Sequence, residues 1–164
     1  RLPRWGDVAG LAASAGWMRE VTAAGFASRH GEVDRLDGPV GSVVVGDPRP
    51  LHPERLALSV EEELRPDRAG LVLRSKGFVS LASRPGEVGG WSSVGSMLTL
   101  QPTGIDPWQE HAPHGTEIAF FGVGLRPAVL RRAIGRAVLT GEELAAGPAA
   151  WAGYADPFPR VDAD

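Results

Sequence analysis

The chain has 164 residues, 43% hydrophobic and 23% charged, with a formal net charge of −3, 22 glycines, 14 prolines and no cysteine. That is the composition of about one globular domain with long loops; it excludes collagen, coiled coil, disulfides, thiolate nucleophiles and Cys-ligated zinc, and it offers no basic field for nucleic acid. No apolar run nears the roughly 20 residues that cross a bilayer and residues 1–10 lack the apolar centre of a secretory signal, so a cytoplasmic chain with neither membrane nor nucleic acid as partner is expected.

Beginning at Arg1, the chain reads as a piece of something longer. Residues 1–38 read as a linker or junction segment, partly helical. Asp7 can cap a short helix through Val8, Leu11 and Ala12 that stops at Gly16, residues 17–24 can add another turn or two, and the charge mixture of residues 29–38 reads as solvated linker. From Pro39 the pattern sharpens. Val40, Val43, Val44 and Val45 make a β-branched run closed by Gly46-Asp47-Pro48, which predicts a strand and a turn. Pro53 suits the first helical position and Glu54 the positive end of the helix dipole. The helix is expected to run to about Arg65, with Leu56, Val60 and Leu64 as its buried stripe and Glu61, Glu62 and Glu63 facing water.

Residues 71–82 predict a long strand that buries Leu71, Leu73, Val79 and Leu81, with a bulge where Arg74, Lys76 and Gly77 break the alternation. Pro85-Gly86 turns the chain, residues 87–91 and 96–101 supply one or two further strands, and residues 117–123 the last. Pro127 opens a second helix, with Val129, Leu130, Ala133, Ile134, Ala137 and Val138 on the apolar face and Arg131, Arg132 and Arg136 on the polar one. Thr140 and Glu143 have capping-box spacing, so a short third helix begins there and ends at Gly147-Pro148. The order reads as α+β, a mainly antiparallel sheet of four to five strands with two main helices and a short C-terminal helix. Residues 39–159 form this domain and residues 160–164 a tail.

Lys76 is the one lysine, between Ser75 and Gly77. A phosphate-cradling loop needs G-x-x-x-x-G-K-[ST], and Lys76 meets neither side of that motif nor the guanine-reading N-K-x-D. Gly122 and Gly124 begin a dinucleotide-type G-x-G, but Pro127 stands where its last glycine belongs. The nearest approach to a hydrolase elbow, Trp91-Ser92-Ser93-Val94-Gly95, lacks the first glycine. No catalytic residue is assigned, and the chain is read as neither an enzyme nor a holder of a cofactor.

Three groups of residues still offer chemistry. His52, Glu54 and Arg55 stand at a helix entrance, where an imidazole beside a guanidinium can serve as an interaction surface, or where His52 caps the helix and Arg55 ties it to a carboxylate. Lys76, near Arg74 and Trp91, can meet an anion or a partner's acid, or be an exposed strand lysine. His111 and His114, with Asp106, Glu110 and Glu117 nearby, are candidate metal ligands, although Pro113 and Gly115 argue for a loop. Residues 156–159, Asp-Pro-Phe-Pro, are expected to pin the C-terminus with Phe158 and Trp151 on the sheet. Two main helices cannot cover both faces of such a sheet, so one face or edge is expected open, with Arg49, Lys76 and Trp91 near it; alternatively residues 1–38 fold back over it through Trp5 and Trp17.

The run Arg49-Pro50-Leu51-His52-Pro53-Glu54-Arg55-Leu56, followed by Lys76-Gly77-Phe78, Trp91-Ser92, residues 117–122, Leu139-Thr140 with Glu142-Glu143, and Asp156-Pro157-Phe158-Pro159, resembles the C-terminal domain of CobW-type GTPases across about residues 39–159. Leu51 stands where that family usually has Phe, His114-Gly115-Thr116 replaces a polar Arg-containing stretch, and the family's GTPase-side motif of closely spaced cysteines has no counterpart. The resemblance implies a parent with an N-terminal P-loop GTPase domain and with GTP, Mg and Zn as its cofactors. In it this piece is a non-catalytic accessory domain that meets the GTPase domain and a client metalloprotein, or self-associates, in metal delivery or homeostasis. A stand-alone metal-binding module using His111 and His114 is the alternative.

Overall fold

The computed structural model describes residues 34–35 and 39–160. The helices expected at residues 7–16 and 17–24, the packing roles of Trp5 and Trp17, and residues 161–164 lie outside the described residues. Six strands, β1 (Asp34–Arg35), β2 (Val40–Asp47), β3 (Leu71–Val79), β4 (Gly89–Val94), β5 (Met97–Pro102) and β6 (Thr116–Val123), form one antiparallel sheet in the order β1-β2-β6-β3-β4-β5. The helices among the described residues are α1 (Pro53–Glu63), α2 (Pro66–Ala69), α3 (Pro127–Gly135), α4 (Gly141–Ala146) and α5 (Pro148–Trp151). The α+β class and the antiparallel sheet are as expected. Two short helices, α2 and α5, and the two-residue edge strand β1 were not. β1 pairs with Ser42 and Gly41, so part of the segment read as solvated linker belongs to the sheet.

β6 lies between β2 and β3 and runs antiparallel to both, from Val40↔Val123 to Asp47↔Thr116 on one side and from Leu71↔Val123 to Phe78↔Glu117 on the other. β2 and β3 are therefore parallel to each other, joined through α1, with a later strand inserted between them, which is a split βαβ unit. β4 and β5 extend the sheet as a hairpin whose two-residue loop begins at Gly95, φ 57, the conformation such tight loops require of glycine.

Alternation puts Val43, Val45, Val79, Trp91, Ile118 and Phe120 on one face, all buried. Leu56 of α1 and Leu130 and Ile134 of α3 complete that core. Apolar burial of this kind stabilises by about 25 cal/mol per Å². No described helix is long and apolar enough to cross a membrane.

Several expectations are corrected. The stripe of α1 that meets α3 is Leu56, Ser59 and Glu63, whereas Val60 and Leu64 are only partly buried. Ser59 Oγ donates to Ala133 O at 2.7 Å. Glu63, expected in water, is 2% exposed and accepts from Arg132 (2.9 Å), Arg136 (2.8 Å) and Arg68 (3.5 Å). Leu71 and Leu73 are exposed, because the bulge falls between Val72 and Arg74 at the open end of β3. Gly77 sits in regular pairing, and a Cβ there would lie 2.0 Å from Glu117 O and 2.7 Å from Ile118 Cα; its glycine marks close approach of β6, not a bulge. α3 stops at Gly135, a weak helix former, and Val138 leaves the helical path to bridge Leu51.

Candidate functional site

The passage from β2 into α1 is a junction of three distant segments. Leu51 N–H donates to Ser80 O (2.8 Å), Ala82 N–H to Leu51 O (2.9 Å), His52 N–H to Ala137 O (2.7 Å) and Leu139 N–H to Pro50 O (3.0 Å). Residues 50–52 thus tie the exit of β3 to the exit of α3, and they aim His52 and Arg55 at the C-terminal part of the chain.

His52 occupies the cap position of α1 but its side chain makes no capping hydrogen bond, so the capping role is withdrawn. Its ring stacks on Tyr154 with centroids 4.4 Å apart and planes 26° from parallel. Nδ1 is buried without a hydrogen-bond partner among the described residues. Burial, and then the Arg55 charge, push the imidazole pKa below its ordinary value, while Glu143 and Glu54 pull weakly the other way.

Arg55 ties α1 to a carboxylate, as the structural reading expected, and that carboxylate is Glu143. Nη1 and Nη2 donate to Oε1 and Oε2 at 2.7 Å each, and Nη2 also reaches Val138 O at 3.1 Å. The Arg55 guanidinium and the Thr140 N–H hold the Glu143 carboxyl at about 2, against the opposing effect of burial. Glu143 also completes the expected capping box of α4: Thr140 N–H donates to Oε2 (2.8 Å) and Glu143 N–H to Thr140 Oγ1 (3.2 Å). Trp151 Nε1 donates to the Glu143 carbonyl at 2.5 Å.

Other candidates are dispersed. Arg49 is exposed and engaged locally, its Nε and Nη2 donating to Asp47 at 3.0 and 2.9 Å; that contact holds the Asp47 carboxyl below its usual range. Glu54 is exposed. Lys76 pairs with Ala119 and Ser92 on the sheet face away from the helices. Trp91 is not at a surface: it is 1% exposed on the opposite face, its Nε1 donating to Ser75 Oγ at 2.7 Å, because register with Gly77 turns it under α1. His111 and His114 are both exposed in the loop between β5 and β6, and no group of three His, Asp or Glu that could hold a metal ion occurs among the described residues.

Ser83 and Arg84 were not anticipated. Arg84 lies in a Ser-Arg-Pro-Gly stretch that reads as surface, yet its side chain is 6% exposed and its Nε donates to Asp156 Oδ2 at 2.7 Å. Ser83 Oγ donates to the same oxygen at 2.7 Å, and Arg84 Nη2 to Phe158 O at 2.8 Å. Burial pushes the Asp156 carboxyl up, but the hydrogen bonds from Arg84, Ser83 and the Phe158 N–H together outweigh it and leave the pKa lowered. Asp-Pro-Phe-Pro pins the C-terminal segment as expected, with Phe158 against the core, whereas Trp151, expected on the sheet with it, sits partly buried in α5 with its indole N–H on the Glu143 carbonyl.

Among solved structures, a Zn(II)-bound triple mutant of YjiA GTPase matches at 20% identity with a TM-score of 0.51, over 65% of this chain and 34% of that one. The Zn(II)-bound YjiA GTPase from E. coli matches at 21% identity with a TM-score of 0.49, over 62% and 32%. The chain spans about a third of the length of these proteins, and at such identity the first match shows a shared fold. The family model described as the cobalamin synthesis protein cobW C-terminal domain matches residues 40–138, from the first residue of β2 to the bridge between Val138 and Leu51. With more than half of its length inside that match, the chain belongs to the cobW C-terminal domain family.

Proposed function

We propose that this chain is the non-catalytic C-terminal accessory domain of a cytoplasmic CobW-type GTP-binding protein, and that it contacts the parent's GTPase domain, a client metalloprotein or a second copy in the delivery or homeostasis of a metal, foremost zinc. The observation that carries this reading is the family match over residues 40–138. The setting of Lys76 supports it: the single lysine lies mid-strand in β3 rather than between a glycine-rich turn and a helix. The solved protein of like fold, the triple mutant of YjiA, is named as a Zn(II)-bound GTPase, and GTP, Mg and Zn are assigned to the parent. Arg49, Glu54 and Lys76 are the residues of this domain proposed to meet a partner, with His52 and Arg55 positioning the turn that presents Arg49 and Glu54.

Calorimetry of the chain with Mg²⁺ and GTP is expected to be flat, and micromolar binding would overturn the non-catalytic reading. Association with the separately expressed GTPase half is expected to weaken about tenfold, about 1.4 kcal/mol, in Arg49→Glu or Lys76→Glu. Full binding by both variants, each still folded, removes these residues from the interface.

A further inference from the structure

Residues 152–160 form no helix or strand, and they are held as a bound peptide is held. Tyr154, Asp156 and Phe158 are partly buried while Ala155, Pro157 and Pro159 between them are exposed. Partly buried and exposed side chains thus alternate along it, and it faces the domain with a ring, a carboxylate and a second ring in series. Each has its own receptor. Tyr154 stacks on His52, Asp156 accepts from Ser83 and Arg84, and Phe158 packs against the core while its carbonyl accepts from Arg84 Nη2. Asp156 Oδ1 also accepts from the Phe158 N–H at 3.0 Å, which sets carboxylate and ring in a preformed turn.

The receptor side is built for an acid. Arg84 is buried, and a guanidinium so placed requires a carboxylate. Glu87, from its own turn, stands 3.8 Å away, whereas the close partner at 2.7 Å comes from Asp156. The attachment uses side chains and one carbonyl with no strand ladder, so its release breaks no sheet hydrogen bond. Where the described segment ends, a cavity of about 630 Å³ lined by Ser83, Arg84, Val88, Ile105 and Arg160 continues from the same receptor. The site is larger than the contacts Tyr154, Asp156 and Phe158 make in it.

We propose that His52, Ser83 and Arg84 form a peptide-recognition site occupied by the chain's own residues 154–159, and that it takes in their place a segment of a partner protein carrying a carboxylate two residues before an aromatic side chain. The tether raises the effective concentration of the internal segment, so it sets a threshold that a partner must exceed. Gly153, exposed at the head of the segment, is the hinge. The inference concerns the chemistry of this site and holds whether or not the parent is a GTPase.

The test is fluorescence anisotropy with a labelled synthetic peptide of residues 151–160, titrated with the full chain and with its Asp156→Ala variant. The peptide is expected to bind the variant at least tenfold more tightly than the wild type, and to lose binding when its aspartate is changed to asparagine or when the variant also carries Arg84→Gln. Equal binding to both chains, or no binding to a variant that keeps the wild-type circular dichroism spectrum, overturns the proposal. Should Asp156→Ala fail to fold, hydrogen exchange of the wild type decides. The Tyr154 and Phe158 amides are expected to exchange at least a hundredfold faster than the β6 amides, and exchange only in step with β6 overturns it.

Discussion

Arg55 and Glu143 lie 88 residues apart in the chain and meet through two hydrogen bonds of 2.7 Å. One carboxylate thereby closes the capping box of α4 and fastens that helix to α1. Glu143→Gln is expected to cost about 2 kcal/mol, from a charged hydrogen bond and a cap, with allowance for the partial exposure of both side chains. A urea double-mutant cycle with Arg55→Ala is expected to give a coupling of about 1 kcal/mol. A coupling near zero would put the pair among screened surface pairs.

Stability is expected to fall with acid in two stages. The His52 pKa lies below its unfolded value of about 6.5, so the unfolded chain takes up that proton first. Its contribution is present above about pH 6.5 and is lost as pH falls through the depressed folded value. Glu143, at about 2 in the fold against about 4.3 unfolded, contributes above about pH 4.3 and loses that contribution on the way down to 2. Asp47, Glu63 and Asp156, all lowered, act in the same direction. Urea midpoints at pH 7.5, 5.5 and 3 check this, and His52→Phe, which keeps the stacking surface, should flatten the upper stage alone.

Ile134 is 1% exposed between α1 and the sheet, and Leu64 is only partly buried. Ile134→Ala is expected to cost about 2–5 kcal/mol, and Leu64→Ala about 1 kcal/mol because less surface leaves water. Equal shifts of the urea midpoint would show that Leu64 packs as a core residue.

Gly77→Ala is expected to be among the most damaging single changes, about 3 kcal/mol or more. The new Cβ would meet the β6 backbone at Glu117 O and Ile118 Cα, and a central strand cannot retreat without losing its pairing with β2. Thermal melts check it, with Gly135→Ala as the control, since a Cβ there meets nothing within 4 Å and favours the helix.

What could be read before folding was what neighbours in sequence decide. The Pro53 start of α1 and the Thr140–Glu143 capping box depend on residues three or four positions apart, and both stand as expected. Glu61, Glu62 and Glu63 are chemically identical in a row, and α3 alone, by bringing Arg132 and Arg136, singles out the third. Gly77 was legible as an anomaly but not as close approach, because its neighbour is β6, some forty residues on. In the candidate site, His52 and Arg55 could be marked from the residues around them. Their partners Tyr154 and Glu143, and the burial of Arg84, come from segments that only the finished fold joins.

The placement of β6 has a consequence for the nascent chain. Synthesis delivers β2, α1 and β3 well before the strand that pairs with both of them, so on the ribosome β2 and β3 each wait with a hydrogen-bonding edge unmatched. Such edges invite pairing with other chains. The polypeptide can commit to its sheet only once Val123 has emerged, and the ties from Ala137 and Leu139 back to residues 50–52 close the domain after that. A pause in translation between β3 and β6 would therefore be the moment of greatest need for a chaperone.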